Sequence, residues 1–370
     1  MKNSFGIFIL LMGNLLFAQN NFKIELEAAA FEKDSLFIEA ATNSGNTKRI
    51  FNFSVDTNSN ISFLKGFNSI IARINAQKTS IEGKIDYPQI MNLVYFDPKT
   101  KNSYQTKPFF LEKGNFVISV NRINNFDYQF EFNTPANIEY QKLRLDLLNF
   151  DKKLIPYSEN DRNDILAKQN FLEKYIIKNP NSFVAFWEIV SDFSKYRFDK
   201  SYVKNLSLFS NTVKKSYSYI EFKKMIDLEN STNIGGNFPK LSFENNEKIT
   251  KSDFSNYDIT LIDYWSTTCK PCIQDLPKLV ALFEKYKDKK VNIISIASDS
   301  KKDRMELAKR ILKNNNVEWK NYFDVKNEFP KKLNASGYPL QILVDKNGKI
   351  IDRKVSDLYK IELTIESIIR

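Results

Sequence analysis

The strongest restriction on the fold comes from one apolar segment, Ile259–Trp265, and from the residues that follow it. An apolar segment of this kind is typical of a strand that is buried on both faces of a sheet. Four residues later, Cys269-Lys270-Pro271-Cys272 begins a segment with helical spacing, and proline is tolerated in a first helical turn. The sequence therefore predicts a buried strand that leads through a short loop into a helix, with two cysteines at the helix start.

Strands and helices continue to alternate from this point to the C-terminus. The segment Asn233–Pro239 contains two adjacent glycines and a proline, which indicates a domain boundary. Beyond the first strand we expect the strands Val291–Ala297, Leu340–Asp345 and Ile350–Arg353 and the helices Cys272–Lys287, Lys301–Asn315, Glu328–Asn334 and 357–369. Asn347-Gly348 favours a hairpin turn between the last two strands. Residues 233–370 are therefore predicted to form an α/β domain, with a mixed sheet and helices on both faces.

The chain before this boundary shows two different patterns. From Phe22 to about Phe132, apolar and polar residues alternate in short segments such as Ser35–Glu39, Ile50–Val55, Asn115–Val120 and Asp127–Phe132. This alternation predicts half-buried antiparallel strands, and hence a β-sandwich or barrel-like domain over 19–133. Helical spacing follows in segments around 136–154, 161–178, 181–196, 200–209 and 211–228. We therefore expect a helical region over 134–232.

The first 18 residues have the three-part layout of a secretory signal. A basic start at Lys2 precedes an apolar run from Phe5 to near Phe17, and Ala18 precedes polar residues. The alternative is an uncleaved membrane anchor, but the apolar run is shorter than the ~20 residues of a spanning helix. The sequence therefore predicts cleavage after Ala18 and an exported, periplasmic protein that is not stably inserted in the membrane.

Composition excludes several classes of function. The chain has no histidine, which excludes His-based acid–base catalysis and His-ligated metal sites. The net charge of +11 comes from lysines that are scattered rather than gathered in runs, so we expect no nucleic-acid partner. With only two cysteines and no histidine, a zinc site lacks its usual four ligands. We therefore expect neither a metal nor a cofactor.

The cysteine pair itself favours redox chemistry. A purely structural disulfide remains an alternative, but so short a ring closes almost no loop. Two unrelated core cysteines are another alternative, although Lys270-Pro271 between them is poor core material. At a helix N-terminus the unpaired N–H groups and the helix dipole stabilise a thiolate at Cys269, and Lys270 adds positive charge beside it. Cys272, one turn further along, is expected to lie deeper.

Asp263 is the second candidate residue. It interrupts the otherwise apolar strand, where an unpaired carboxylate is costly to bury. Burial raises the pKa of such a carboxyl group, which would suit it to proton transfer. A hydrogen-bonded aspartate with a structural role is the alternative.

The segment Leu261–Cys272, together with Pro277, resembles the active-site region of thioredoxin-fold proteins, and more narrowly the exported TlpA/ResA-type thioredoxin-like oxidoreductases. Gly337-Tyr338-Pro339 is similar to the cis-proline loop of that family, and Asp345–Ile351 is similar to its closing hairpin. The resemblance covers roughly 234–370. A weaker resemblance over 79–145 is to an N-terminal β domain often joined to such modules.

This resemblance implies a role for each candidate residue. Cys269 attacks a substrate disulfide, Cys272 resolves the mixed disulfide, and Asp263 takes the proton of Cys272. Asp275 aligns with an active-site glutamate of the family, although an acid is also favoured there by the helix dipole alone. The predicted substrate-binding residues are Trp265, Lys270, Pro271, Tyr338 and Pro339. Trp265 has a core-packing alternative, whereas a cis Pro339 would present the backbone of Tyr338 to an extended substrate.

The same resemblance implies the partners of the protein and the direction in which it exchanges thiols and disulfides. The expected substrates are disulfide-bearing proteins, and the expected recharging partner is a membrane-bound thiol donor. The sequence departs from the family pattern at Leu340, where threonine is usual, and at Thr268, where thioredoxins commonly have tryptophan. Lys270 would favour a more oxidising potential, but the resemblance favours reduction. A non-catalytic interaction protein that uses the fold as a scaffold, and a thiol peroxidase, remain the alternatives.

Overall fold

The computed structural model describes residues 21–42, 45–120, 133–158, 160–244, 247–335 and 337–369. The predicted signal peptide, 1–18, and the predicted strand Asp127–Phe132 lie outside these ranges. The chain divides into two compact units, Met1–Lys223 and Lys224–Arg370. Separate β-rich and helical domains over 19–133 and 134–232, and a C-terminal domain over 233–370, stay predictions.

The first unit contains strands followed by helices. Its strands are β1 (Asn21–Glu27), β2 (Ser35–Ala40), β3 (Phe53–Val55), β4 (Ile61–Leu64), β5 (Ser69–Arg73), β6 (Lys78–Ile85), β7 (Gln89–Phe96), β8 (Ser103–Gln105), β9 (Phe109–Leu111) and β10 (Gly114–Ser119). Its helices are α1 (Gly45–Lys48), α2 (Pro135–Asp151), α3 (Arg162–Lys178), α4 (Phe183–Tyr196), α5 (Ser201–Ser207) and α6 (Asn211–Lys214), and α7 (Tyr217–Thr232) continues into the second unit.

The strands of the first unit form two sheets, as the alternating pattern indicates. One sheet has the order β10-β1-β6-β3 and the other β4-β5-β2-β7-β8, with β9 also paired to β7. In β1, the alternate residues Phe22, Ile24 and Leu26 are buried and the residues between them are more exposed. Phe53 of one sheet and Phe63 of the other have ring centroids 5.2 Å apart, so their side chains meet between the sheets.

The helices of the first unit cover one of these sheets. Trp187 of α4 donates a hydrogen bond from Nε1 to the carbonyl of Pro88 at 2.9 Å, beside the start of β7. Strand β7 is buried along most of its length, because the side chains on both of its faces are covered. The predicted helical segment 211–228 is interrupted at Ser216, whose backbone N–H and hydroxyl both bond the carbonyl of Val213. Local side-chain bonds of this kind compete with helix continuation.

The second unit is built around a five-stranded mixed sheet, as predicted. Its strands are β11 (Leu241–Ser242), β12 (Lys248–Ile249), β13 (Ile259–Trp265), β14 (Val291–Ala297), β15 (Lys320–Phe323), β16 (Leu340–Asp345) and β17 (Ile350–Val355), and its helices are α8 (Lys270–Tyr286), α9 (Lys302–Asn314), α10 (Glu328–Leu333) and α11 (Leu358–Ile368). The strand order is β15-β14-β13-β16-β17. Strand β14 is parallel to both of its neighbours, β13 and β15, whereas β16 is antiparallel to β13 and to β17. Strand β15 and the β11–β12 hairpin were not predicted, because segments of two to four residues carry little periodicity.

The central strand β13 has helices against both of its faces. On one face, Leu261 and Trp265 belong to the core that includes residues of α8 and α11. On the other face, Ile262 and Tyr264 pack in the core that includes Phe329 of α10. No helix in the described part of the chain has the length and apolarity that a membrane crossing requires.

Candidate active site

The two cysteines lie at the N-terminus of α8 and form a disulfide. Cys269 is the N-cap residue, and its Sγ accepts a hydrogen bond from the backbone N–H of Cys272 at 3.2 Å. Cys269 is half-buried, whereas Cys272 is only 3% exposed and packs in the core. Lys270 and Pro271 are exposed in the first helical turn. After reduction, the sulfur that a substrate can reach is therefore that of Cys269, and it lies at the positive end of the helix dipole.

The loop before the cysteines is held by a residue that the sequence did not reveal. Asp299 is buried after β14, and its carboxylate accepts hydrogen bonds from the backbone N–H and the hydroxyl of Thr267, both at 2.8 Å. The backbone N–H of Cys269 in turn bonds the carbonyl of Ser266 at 3.0 Å. Asp299 follows β14, which is parallel to β13, so both strands end at the same edge of the sheet. This position at the carboxyl end of a strand was the signal by which the sequence could have indicated Asp299.

Asp263 is fully buried in β13, on the same face as the disulfide. Its neighbours two residues away on that face, Leu261 and Trp265, share a core cluster with Cys272. Burial raises the pKa of Asp263 to about 7, and a hydrogen bond from Gln341 opposes part of that rise. A carboxyl group with a pKa near 7 can accept or release a proton near neutral pH.

Gln341 is a further residue that the sequence did not single out. In the antiparallel pairing of β13 and β16 it lies opposite Asp263, and its Nε2 donates a hydrogen bond to Asp263 Oδ1 at 3.2 Å. Gln341 is fully buried, and no donor among the described residues reaches its Oε1. A buried amide oxygen without a partner is costly, so this pair is an exception that calls for a functional explanation. Knowledge of the strand register would have been needed to find it.

Asp275 lies in α8 close enough to influence Asp263. Its negative charge contributes to the raised pKa of Asp263, after burial and the opposing hydrogen bond of Gln341. The Asp275 carboxylate forms an ion pair with Lys278 Nζ at 2.7 Å, and its side chain is 16% exposed. The structure thus brings together Cys269, Cys272, Asp263 and Asp275.

The predicted substrate-binding residues fall into two groups. The Tyr338–Pro339 peptide bond is cis, as the resemblance implied, and the ring of Tyr338 is exposed beside Tyr264, with centroids 5.1 Å apart. The pairing of Tyr264 with Leu340 places Pro339 at the end of the sheet where β13 leads to the cysteines. Trp265, by contrast, is buried in the core, and its contact with substrate stays a prediction. Within the described ranges, no group of three or more Cys, Asp or Glu side chains is arranged to hold a metal ion.

Known proteins resemble the C-terminal unit. Residues 256–350 match a family model described as thioredoxin-like. The thiol-disulfide oxidoreductase ResA of Bacillus thuringiensis subsp. konkukian (strain 97-27) is 30% identical over 118 residues, which are 32% of this chain and 65% of that protein. The sporulation thiol-disulfide oxidoreductase A of Bacillus subtilis (strain 168) is 19% identical over 99 residues, covering 27% of this chain and 60% of that protein.

A solved structure is also similar to part of this chain. The thioredoxin domain of a thiol-disulfide oxidoreductase from Bacteroides vulgatus is 24% identical, and the match covers 37% of this chain and 98% of that domain with a TM-score of 0.32. The chain spans 65% of the length of the ResA relative, and 32% of this chain takes part in that match. Three findings agree: the mixed sheet, the cysteine pair at the start of α8 and the match to the family model. The C-terminal unit is therefore a thioredoxin-like domain, similar to the ResA thiol-disulfide oxidoreductases.

Proposed function

We propose that this chain is an extracytoplasmic thiol–disulfide oxidoreductase that reduces the disulfides of other proteins. The observation that carries the proposal is the pair of sulfurs at the start of α8, one half-exposed and one buried, joined in a disulfide bond. Similarity to ResA supports the same chemistry. A scaffold that binds partners without redox chemistry would have no need of two cysteines in this arrangement.

In the first step the Cys269 thiolate attacks one sulfur of a substrate disulfide. The substrate S–S bond breaks, a bond forms between Cys269 and that sulfur, and the other substrate sulfur leaves as a thiolate that takes a proton from water. The helix dipole and the N–H of Cys272, which already bonds Cys269 Sγ, stabilise the attacking thiolate. Lys270 adds a nearby positive charge.

In the second step Cys272 resolves the mixed disulfide. Its buried thiol loses a proton to Asp263, and its sulfur attacks Cys269. The bond between Cys269 and the substrate breaks, and the substrate sulfur leaves as a thiolate that takes a proton from water. Two electrons pass to the substrate, and the protein is left with the Cys269–Cys272 disulfide. Asp263 suits the proton transfer because its pKa of about 7 allows it to be unprotonated before the step and protonated after it. Asp275 acts on this step through its charge.

The substrate is proposed to dock across the exposed Tyr338 and the first turn of α8. The backbone of Tyr338 would pair with an extended substrate segment, and Lys270 and Pro271 would form the opposite side of the contact. Trp265 would act mainly by supporting this surface from the core. Reduction leaves the protein oxidised, so a thiol donor at the membrane is proposed to recharge it. Export through residues 1–18 belongs to the same proposal.

The proposal is tested by trapping both halves of the exchange. With reduced protein and a disulfide-bonded protein such as insulin, we expect Cys269→Ser to abolish reduction. Cys272→Ser should instead accumulate a mixed disulfide through Cys269, which non-reducing electrophoresis detects. Reduction by Cys269→Ser at the wild-type rate would refute the roles assigned to the cysteines. If the protein consumed hydrogen peroxide faster than it reduced the disulfides of insulin, the result would favour a peroxidase instead.

The direction of the reaction is tested by the midpoint potential. Members of this fold span roughly −270 to −120 mV, and reductases lie at the negative end. We expect the Cys269–Cys272 couple to lie closer to −270 mV, measured by thiol alkylation in glutathione buffers of defined ratio. A value near −120 mV would instead indicate an oxidase.

A further inference from the structure

A polar row crosses the sheet of the second unit at the level of Asp263. Gln341 of β16 lies opposite Asp263 on one side, and Ser295 of β14 lies opposite it on the other. Residues opposite each other in a sheet point to the same face, so these three side chains are neighbours, and all three are buried. Their strand neighbours on this face belong to the apolar core around Cys272: Leu261, Ile293 and Leu343. Polar groups in such a place call for an explanation.

Ser295 is oriented by a tryptophan. The indole Nε1 of Trp319, which immediately precedes β15, donates a hydrogen bond to Ser295 Oγ at 2.8 Å, and both side chains are buried. An indole N–H can only donate, so it occupies a lone pair of the serine oxygen. The single proton of the hydroxyl is therefore left for another acceptor. The carboxyl group of Asp263, which lies opposite, receives a hydrogen bond from this side chain.

Trp319 also connects this pair to the helix that carries the cysteines. Its ring packs against Phe283 of α8, with ring centroids 5.4 Å apart. Both rings belong to the core that contains Cys272. A path of one ring contact and two hydrogen bonds therefore runs from α8 through Trp319 and Ser295 to the carboxyl group of Asp263.

The groups that hold the Asp263 carboxylate are neutral. Ser295 and Gln341 both lower its pKa by donating hydrogen bonds. Asp275 of α8 is the one charged side chain among the described residues that acts on this carboxyl group, and it raises the pKa. Lys354 of β17, the next side chain along the row, lies opposite Gln341 and is paired with an aspartate of its own strand. Neutral donors stabilise an ionised carboxylate less than a cation does, so they can orient it and still let it take a proton.

We propose that Ser295 and Trp319 are positioning residues for the proton transfer from Cys272 to Asp263. Trp319 orients the Ser295 hydroxyl, and this hydroxyl holds the Asp263 carboxylate in the ionised form that accepts the proton. Ser295 keeps its own proton throughout, and its hydrogen bond loses its charge assistance once Asp263 is protonated. This role rests on the proposed function, because the resolving step is what makes Asp263 a proton acceptor.

The hydrogen-bonded path is tested in the oxidised protein, without redox chemistry. The indole N–H of Trp319 is followed by ¹H–¹⁵N NMR across neutral pH, with the resonance assigned by its loss in Trp319→Phe. We expect it to shift with an apparent pKa near 7, since ionisation of Asp263 polarises the hydroxyl to which the indole donates. Ser295→Ala and Asp263→Asn should each remove most of this shift. Ser255→Ala, an exposed serine of the same unit, is the control and should leave it unchanged.

The role in proton transfer is tested by the pH profile of the resolving step. Ser295→Ala should raise the apparent pKa of that profile by about half a unit, because the ionised carboxylate loses one neutral donor. The rate of the first attack by Cys269 should stay unchanged. Ser295→Thr, which retains a hydroxyl, should restore the wild-type profile. Trp319→Phe should raise the apparent pKa less, and the double variant no more than Ser295→Ala alone, because Trp319 acts through Ser295.

The opposite results would overturn the proposal. A Trp319 resonance that does not titrate, or that titrates unchanged in Ser295→Ala, would contradict the path through the serine. An unshifted pH profile in Ser295→Ala, equal slowing of both steps, or additive shifts in the double variant would contradict the positioning role. Thermal unfolding of each variant shows whether it folds. Failure of the proposed function would appear differently, as insulin reduction by Cys269→Ser with the Trp319 titration unaffected.

Discussion

Both units bury carboxylates away from water, but they surround these charges differently. In the second unit, Asp263 has the amide of Gln341 as its partner and forms no ion pair within the described chain. In the first unit, Glu188 and Asp192 are also buried, but Lys168 Nζ lies 2.8 Å from the first carboxylate and 2.5 Å from the second. Arg144 adds a second cation beside Glu188.

The two surroundings have opposite effects on protonation. Burial opposes ionisation of Glu188, but Lys168 and Arg144 outweigh it and lower the pKa of this carboxyl group. Burial likewise acts on Asp263, where no cation outweighs it, and raises the pKa to about 7. The comparison teaches that two cations can keep a buried acid ionised, as at Glu188, whereas burial without a cation raises the pKa, as at Asp263. Asp192 lies between these cases, because burial and the negative charge of Glu188 outweigh Lys168 and raise its pKa to about 6.

The largest expected effect is the loss of the cation in the first unit. Lys168→Met leaves Glu188 and Asp192 buried without their main counter-charge, and we expect it to lower the free energy of unfolding by about 3–5 kcal/mol. Denaturant unfolding measures this change. Lys174→Met, an exposed lysine of the same helix, is the control and should cost less than about 0.5 kcal/mol. A cost below about 1 kcal/mol for Lys168→Met would contradict the structural role of the cluster.

The next effect is a pH dependence of stability in the second unit. Because the pKa of Asp263 rises from 3.8 to about 7 on folding, the folded state binds the proton more tightly, and stability falls as pH increases between these values. The loss approaches about 4 kcal/mol at most above pH 7. We expect Asp263→Asn to remove this dependence and to be more stable than wild type at pH 8.

Unfolding at a series of pH values measures this dependence for wild type and variant. Asp288→Asn, an exposed position in the same unit, is the matched control and should keep the wild-type curve. Parallel curves for wild type and Asp263→Asn would show that the carboxyl group is compensated in some other way.

Features of the fold and of the site that depend on neighbouring residues in the sequence could be predicted, whereas features that depend on how strands pair could not. The strand Ile259–Trp265 and the helix after Cys269 follow from the spacing of neighbouring residues, and both were confirmed. Asp263 could be suspected because it interrupts an apolar run. Gln341 and Asp299 could not, because their importance depends on which residues of β16 and β14 face β13.

The cation cluster of the first unit was missed for a similar physical reason. Lys168, Glu188 and Asp192 occupy helical positions that resemble an ordinary polar face, and only the packing of α3 against α4 buries them together. Strand β15 was missed because Tyr322 is its only fully buried side chain.

A smaller effect concerns the rate of the proposed resolving step. Asp263→Asn removes the group that takes the proton of Cys272, and we expect the release of substrate from the Cys269 mixed disulfide to slow about 100-fold at pH 7. Rapid-quench analysis of preformed mixed disulfide measures this step separately from the first attack. The first attack by Cys269 should change much less. An equal slowing of both steps would indicate a general disturbance of the site.

The smallest effect concerns the partner of Asp263. Gln341→Leu removes the hydrogen bond to the ionised carboxylate, and we expect the pKa of Asp263 to rise further, by about one unit, because burial and Asp275 are then opposed only by the weaker influence of Ser295. The pH dependence of the resolving step should move upward by the same amount. Gln274→Leu, an exposed glutamine of α8, is the control and should leave the profile unchanged. A downward shift in Gln341→Leu would contradict the assigned donor.

The most direct test is the titration of Asp263 itself. The side-chain carboxyl carbon of Asp263 can be followed by ¹³C NMR in the oxidised protein, with the resonance assigned by its loss in Asp263→Asn. We expect an apparent pKa near 7, the value that burial without a cation gives and that proton transfer from Cys272 needs. An apparent pKa near the ordinary value of about 3.9 would show that Asp263 is compensated like Glu188, and would contradict its proposed part in the exchange.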